Sequence, residues 1–319
     1  MSELWDLLHA SADRVFENAI HAHSSGLDAD RWACIEDAGL DRLLLSPERG
    51  GAGDAFQEAI DLARLFGARA CRVPLIETLM AHRWLDAAGY SVPEGPKTIA
   101  IPHVMAHVPW ADEGVLIVLA DGDLLSIDNG LRTTASRTNL AGEPLLRAGA
   151  AMLDDLPVPK PRELALYVML KAAAIVGALE ACLNLTLAYV NERVQFGRRI
   201  GTFPAVQHMV VRLAEECAAA AAAVQRAAPL LGSERALHSA AVAKSRSSEA
   251  AETVSAMAHQ CHGAMGITQD YPLWQYSLRA LAWRDDAGSE DYWNARIGAA
   301  ALAHSETGLW LHLLAGGPL

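Results

Sequence analysis

Two long apolar-periodic segments, joined by a short cationic turn, constrain this chain more than any other feature. Residues 161 to about 193 read as one helix and residues 203 to about 231 as another. Gly197, Gly201 and Pro204 end the first and start the second. Three further helical stretches follow, at about 233–262, 273–284 and 290–304. Ser233 is placed to cap its helix, with Glu234 in the first turn, and Pro229 sits near a helix end where it is tolerated. Long helices with short connections pack antiparallel, so residues 158–319 are expected to form a bundle. The most apolar run, Leu164 to Val190, is long enough to span a bilayer, but Lys171, Glu180 and Asn184 interrupt it. A buried core helix is the expectation, and no membrane partner.

The rest of the chain divides by texture. Residues 1–93 read as a helical domain: Leu4, Trp5, Leu7, Leu8, Val15, Phe16 and Ile20 recur at helical spacing. Gly26 then breaks the helix, Asp28 can cap the next (29–38), and Phe56–Ala68 and Ile76–Ala88 are amphipathic. Between them, residues 39–53 read as a glycine-rich loop with a short extended run; it lacks the Gly-Lys-Ser/Thr ending of a phosphate loop. Residues 94–157 carry short β-rich runs at 98–101, 114–120 and 123–127, separated by turns at Asp121-Gly122 and Asp128–Gly130. His103, His107 and Trp110 fall between those runs, where packing is the plainer reading and a ligand role the sharper one. The fold class is therefore mostly α with a small β domain: 1–93 helical, 94–157 β, 158–319 bundle. With 319 residues, 52% hydrophobic and 20% charged, the chain is globular. A net charge of −12 argues against nucleic acid or an anionic membrane as partner. Five scattered cysteines show no metal-ligand spacing, so no metal site is expected, and their odd number suggests reduced thiols in a cytoplasmic setting.

Arg193, Arg198 and Arg199 sit at the turn between the two longest helices. Cations at a helix C-terminus complement its dipole, which is one account of them. The other is an anion site, a phosphate gripped by a guanidinium. The same stretch also carries a pattern: Tyr189, Arg193, Phe196, Gly197, Ile200, Phe203 and Gln207, in that spacing, resemble the start of the C-terminal domain of the acyl-CoA dehydrogenase family. Looser echoes run from about residue 30 to 310. They include the loop Gly39–Gly53, the patch Gln260–Gly266 and the segment Ile267–Pro272. The resemblance implies the family's arrangement of an N-terminal helical domain, a middle β domain and a C-terminal four-helix-type bundle. It also implies FAD as cofactor and an acyl-CoA thioester as substrate. Arg193 would grip the flavin diphosphate across a subunit interface, with Gln195, Phe196 and Ile200 lining the adenosine half. Gln260, Gly263 and Ala264 would approach the same partner-bound flavin, small residues letting backbone come close to a dinucleotide. Taken alone, Gly263 and Gly266 are equally a helix C-terminus.

The departures from the pattern carry as much information. An acyl-CoA dehydrogenase needs a carboxylate to remove the proton α to the thioester carbonyl, and hydrogen bonds to stabilise the enolate. Counting from Tyr271-Pro272, the family's glutamate falls on Ala287, and a one-residue gap offers only the shorter Asp286. The alternative place on the first bundle helix falls on Tyr167. The middle β domain is short and lacks both segments that hold a chain's own flavin in the family. No catalytic residue is assigned. Residues that act on a neighbour's flavin are present, and those that serve the chain's own site are missing. This is similar to the short, base-less subunits of bacterial heterotetramers. The expectation is a subunit of an FAD-dependent acyl-CoA dehydrogenase paired with a paralogous chain. The rivals are a self-sufficient homomer with a displaced acidic base and a non-catalytic assembly protein.

Overall fold

The computed structural model describes residues 3–17, 26–105, 107–111, 115–121, 124–126, 136–146 and 156–303. The expectations for the side chains of Leu4, Trp5 and Leu7, for Ile20, for the turns at Gly122 and 128–130, and for His304 lie outside these residues or their described side chains. Among the described residues four helices open the chain: α1 (Glu3–Phe16), α2 (Ala29–Asp37), α3 (Phe56–Ala68) and α4 (Leu75–Ala87). Asp28 caps α2, its side chain accepting from the Arg31 amide at 3.0 Å. The loop between α2 and α3 holds two 3₁₀ turns, Leu40–Arg42 and Pro47–Arg49, where an extended run was expected. Leu43, Leu44 and Leu45 are buried there without pairing as a strand, so their apolar run reflects packing and not sheet.

The β region forms two small sheets among the described residues. In the first, β1 (Lys97–Ile99) pairs parallel with β3 (Leu116–Val118), which pairs antiparallel with β4 (Leu124–Ser126). In the second, β6 (Pro144–Leu146) lies between β2 (Val108–Pro109) and β5 (Ser136–Thr138). The second sheet is anchored to the bundle by Glu143, which is buried and accepts from Arg279 Nε and Trp283 Nε1, both at 3.1 Å.

The bundle consists of α5 (Pro161–Glu192), α6 (Pro204–Ala227), α7 (Ala236–His262), α8 (Leu273–Trp283) and α9 (Glu290–Ala303). Pro161 and Pro204 stand at the first helical turn, where a missing N–H costs nothing. Ser233 does not cap α7: it closes a turn, donating to the Leu230 carbonyl, and the helix begins three residues later. The most apolar window of α5 is 89% buried inside the protein's own helices. Such burial requires close approach. A Cβ on Gly67 of α3 would lie 2.0 Å from the Ala174 carbonyl oxygen, and one on Gly177 of α5 would lie 1.9 Å from that of Arg64. The two glycines let α3 and α5 cross backbone to backbone. An ion pair between Arg64 and Glu180 fixes this crossing, and Arg83 of α4 grips Glu163 of α5 bidentately at 2.8 and 3.0 Å.

Candidate functional site

The α5–α6 turn is a two-residue β-hairpin. Arg193 leaves the helix, its amide still bonded to the Tyr189 carbonyl at 2.9 Å. Val194–Gln195 then pairs antiparallel with Arg198–Arg199. Phe196 and Gly197 both have positive φ, 52° and 77°, which suits the right-handed twist of a tight hairpin. Glycine is at ease there, but a phenylalanine is strained by about 1–2 kcal/mol. That residue is nonetheless 92% exposed. The Phe203 ring supports the hairpin: Phe196 meets it edge-on at 6.1 Å, and the Arg198 guanidinium lies 4.1 Å above it.

A second wall faces this hairpin. Helix α7 ends at His262, Gly263 turns the chain at φ 58°, and a 3₁₀ turn covers Gly263–Ile267. Between the walls lies a cleft of ≈ 490 Å³. All seven residues proposed from sequence line it: Arg193, Gln195, Phe196 and Ile200 from the hairpin side, and Gln260, Gly263 and Ala264 from the end of α7. Tyr189 and His262 line it as well. Met265, 39% exposed, extends its apolar rim, and Ile267, at the end of the same 3₁₀ turn, is 76% exposed. None of Arg193, Arg198 and Arg199 has a carboxylate partner among the described residues, although most arginines elsewhere do. On a chain of net charge −12 they form an uncompensated cationic edge. The cleft can take an anion through the Arg193 guanidinium and admit a planar, partly apolar group between its rims.

The two positions considered for a base lie elsewhere, in one buried ionic junction. Lys171 of α5 reaches Asp286 Oδ2 at 2.8 Å and Glu77 Oε1 of α4 at 2.5 Å. His107, beside β2, reaches Asp286 Oδ1 at 2.9 Å. The Tyr167 hydroxyl lies 3.3 Å from Glu77 Oε1. Tyr167, Glu77, Lys171 and Asp286 are all buried. Burial works to raise the Asp286 pKa, yet Lys171 and the His107 hydrogen bond outweigh it and hold the carboxyl well below the usual carboxylate range. Burial works against Lys171 too, and its two carboxylates raise it instead. Glu77 is lifted, by burial first, and so is Tyr167. For His107 burial is outweighed by Asp286, and its pKa rises.

The loop carrying Asp286 is fastened from a second side. Lys244, buried within α7, donates to the Arg284 carbonyl at 2.7 Å, the Gly288 carbonyl at 3.0 Å and Ser248 Oγ at 3.2 Å. Burial pushes its pKa down to about 7, while three acceptors match the three protons of an ammonium. Trp293 Nε1 donates to the Ala287 carbonyl at 2.8 Å. Asp286 is therefore an ion-paired carboxylate with a depressed pKa in a packed interior, the opposite of what a general base needs. Of the three residues between strands, His107 joins this junction through Asp286, while His103 is exposed and Trp110 buried. Sequence reasoning singled out His107, Tyr167, Lys171 and Asp286 one by one and did not assemble them, and it missed Glu77.

Three comparisons bear on what the chain is. Residues 167–302 match the model of the acyl-CoA dehydrogenase C-terminal domain. Acyl-CoA dehydrogenase IpdE2 of Mycolicibacterium smegmatis is 30% identical over 282 residues, spanning 85% of this chain and 87% of the relative. The protein of the same name from Mycobacterium tuberculosis is 30% identical over 82% of this chain and 83% of its own length. Among solved structures, a chain of the Tcur3481-Tcur3483 steroid ACAD superposes with a TM-score of 0.77 at 21% identity, covering 96% of this chain and 99% of the other. A chain of the ChsE4-ChsE5 complex from Mycobacterium tuberculosis gives 0.74 at 19% identity, covering 96% and 98%. The chain belongs to the acyl-CoA dehydrogenase family, whose members are oxidoreductases acting on the CH–CH bond of acyl-CoA.

Proposed function

We propose that this chain is a subunit of an FAD-dependent acyl-CoA dehydrogenase that completes the flavin site of a partner chain of the same fold and contributes no base of its own. One contrast carries the reading: the seven residues expected near a partner's flavin share one open, cationic cleft, while both base positions are packed into a buried ionic junction. The cleft fits the dinucleotide. Arg193, free of any carboxylate among the described residues, binds and orients the diphosphate. Gln195 and Gln260 offer hydrogen bonds from opposite walls. Gly263 and Ala264 allow backbone to approach, and Phe196 and Ile200 exclude water from the adenosine side. FAD bound there would supply the hydride acceptor for the substrate β carbon, the chemistry this chain's own residues lack. The partner provides the carboxylate for the α proton and the pocket for the acyl-CoA thioester.

Two observations support a heteromer over a homomer. Asp286, the displaced-base candidate, is held ionised and pinned by Lys171 and His107. The fold neighbours include a complex of two chains, ChsE4-ChsE5. The test is to purify the full-length tagged chain alone and, separately, with the dehydrogenase chain that accompanies it from its own host. Flavin absorbance and acyl-CoA oxidation are then recorded for each. Flavin and activity in the mixture only is the expected result; a yellow, active lone chain would overturn the reading.

A further inference from the structure

The floor of the cleft has no role in the reading so far. His262, the last residue of α7, lines the cleft although it is only 3% exposed. Its ring stacks on Tyr189 of α5, centroids 4.4 Å apart and planes 27° apart. Tyr271 closes the far side, 4.8 Å from His262 and edge-on to Tyr189 at 5.7 Å. The plane of the imidazole is fixed from behind, with Nδ1 2.8 Å from the Ala258 carbonyl one turn back. Tyr271 is fixed by its hydroxyl, which donates to the Leu185 carbonyl of α5 at 3.3 Å. The position of this stack in the chain matters. Tyr189 is one turn before Arg193, whose amide it accepts. His262 directly precedes Gly263 and Ala264. One aromatic pair therefore stands between the two walls and spans the gap from the arginine to the small-residue turn.

We propose that His262 is a positioning residue: stacked on Tyr189, it sets the spacing between the Arg193 wall and the Gln260–Ala264 wall, and so the register in which the cleft receives a dinucleotide. The proposal rests on the reading of the cleft as an FAD site. Planarity is the property that matters. A flat ring between two helices gives one defined separation, whereas a branched aliphatic of similar size packs at several. Burial pushes the His262 pKa below its ordinary value, which favours the neutral imidazole. The titratable groups facing it are Tyr189 of α5, His259 of α7 and Tyr271 before α8.

The experiment is a titration of FAD into the flavin-stripped assembly, read as Kd, with assembly mass measured alongside. His262→Ala and His262→Leu are expected to weaken FAD by about tenfold, the loss of one aromatic pair, and Tyr189→Leu to do the same. His262→Phe, which keeps the flat ring, is expected to restore the wild-type Kd to within about twofold. A wild-type Kd for His262→Leu would overturn the positioning role. So would a His262→Phe variant that assembles but binds as weakly as His262→Ala. Arg193→Ala separates this from the underlying reading. If it leaves FAD binding unchanged, the cleft is not the flavin site; if it weakens FAD while the His262 series is silent, only the positioning role fails.

Discussion

The cleft and the junction both gather charge, and they treat it in opposite ways. Arg193 lines the cleft, and Arg198 and Arg199 stand beside it; all three are exposed without carboxylate partners among the described residues, on a hairpin whose tip is an exposed, strained phenylalanine. At the junction a lysine, two carboxylates and a histidine are removed from water and matched to one another. Uncompensated exposed charge costs little and is available to a ligand. Buried charge is tolerable only when every partner is present, and is then unavailable for chemistry. The contrast separates a surface that a ligand can reach from one that is packed shut. It also gives the junction a structural task, since Glu77 comes from the first helical region, His107 from the β region, and Lys171 and Asp286 from the bundle. The ion pairs tie three parts of the chain together at one point.

The comparison breaks most severely at Lys171. Lys171→Met leaves Glu77 and Asp286 buried with their shared cation gone, and is expected to cost about 3–5 kcal/mol in urea unfolding. The triple change Glu77→Gln, Lys171→Met, Asp286→Asn removes the charges together and should recover most of that loss. Full stability of the single variant would mean that the junction is hydrated or unpaired.

Asp286→Asn separates structure from catalysis. It is expected to cost about 1.5–3 kcal/mol of stability, the range for hydrogen bonds to charged groups. Acyl-CoA oxidation by the assembly should not change. Loss of a working general base lowers the rate by about 10²–10⁴, so a fall of that size would restore Asp286 as the base.

The same pair sets a pH profile. Asp286 has a folded-state pKa below its unfolded one, so its contribution is present above about pH 4 and is lost as pH falls through the folded value. His107 has a raised folded-state pKa, so its contribution is complete below about pH 6.5 and is lost as pH rises through the folded value. The His107–Asp286 bond should therefore hold best between these limits. His107→Gln should flatten the alkaline fall in melting temperature and weaken the acid fall only in part, because Lys171 still holds Asp286 ionised. An unchanged alkaline limb would assign that fall to another group.

The smallest effect is expected at the hairpin tip. Phe196→Gly removes a left-handed phenylalanine and should stabilise the lone chain by about 1 kcal/mol while weakening assembly. A variant that is less stable alone would show that the edge-on contact with Phe203 outweighs the strain at Phe196.

Much of this contrast was legible in the sequence, but unevenly. The bundle helices were visible because prolines and glycines mark their ends, and the hairpin residues because they are contiguous. The cleft's second wall, 60–70 residues further on, was reached through a second short motif. The strands were harder. β2, β5 and β6 are two or three residues long, two of them contain proline, and alternation over so few residues carries no signal. Ser233 misled because a serine that closes a turn resembles one that starts a helix. The junction was out of reach: its members stand at 77, 107, 167, 171 and 286, and no local pattern links them. Lys171 showed only that something buried had to answer its charge.

The central claim is most directly tested by the flavin content of the assembled Arg193→Ala variant. Loss of flavin with the mass of the assembly intact is the predicted result, in line with the removal of a charge-assisted diphosphate contact worth about 1.5–3 kcal/mol. An assembly that keeps its full flavin without Arg193 would contradict the assignment of the cleft.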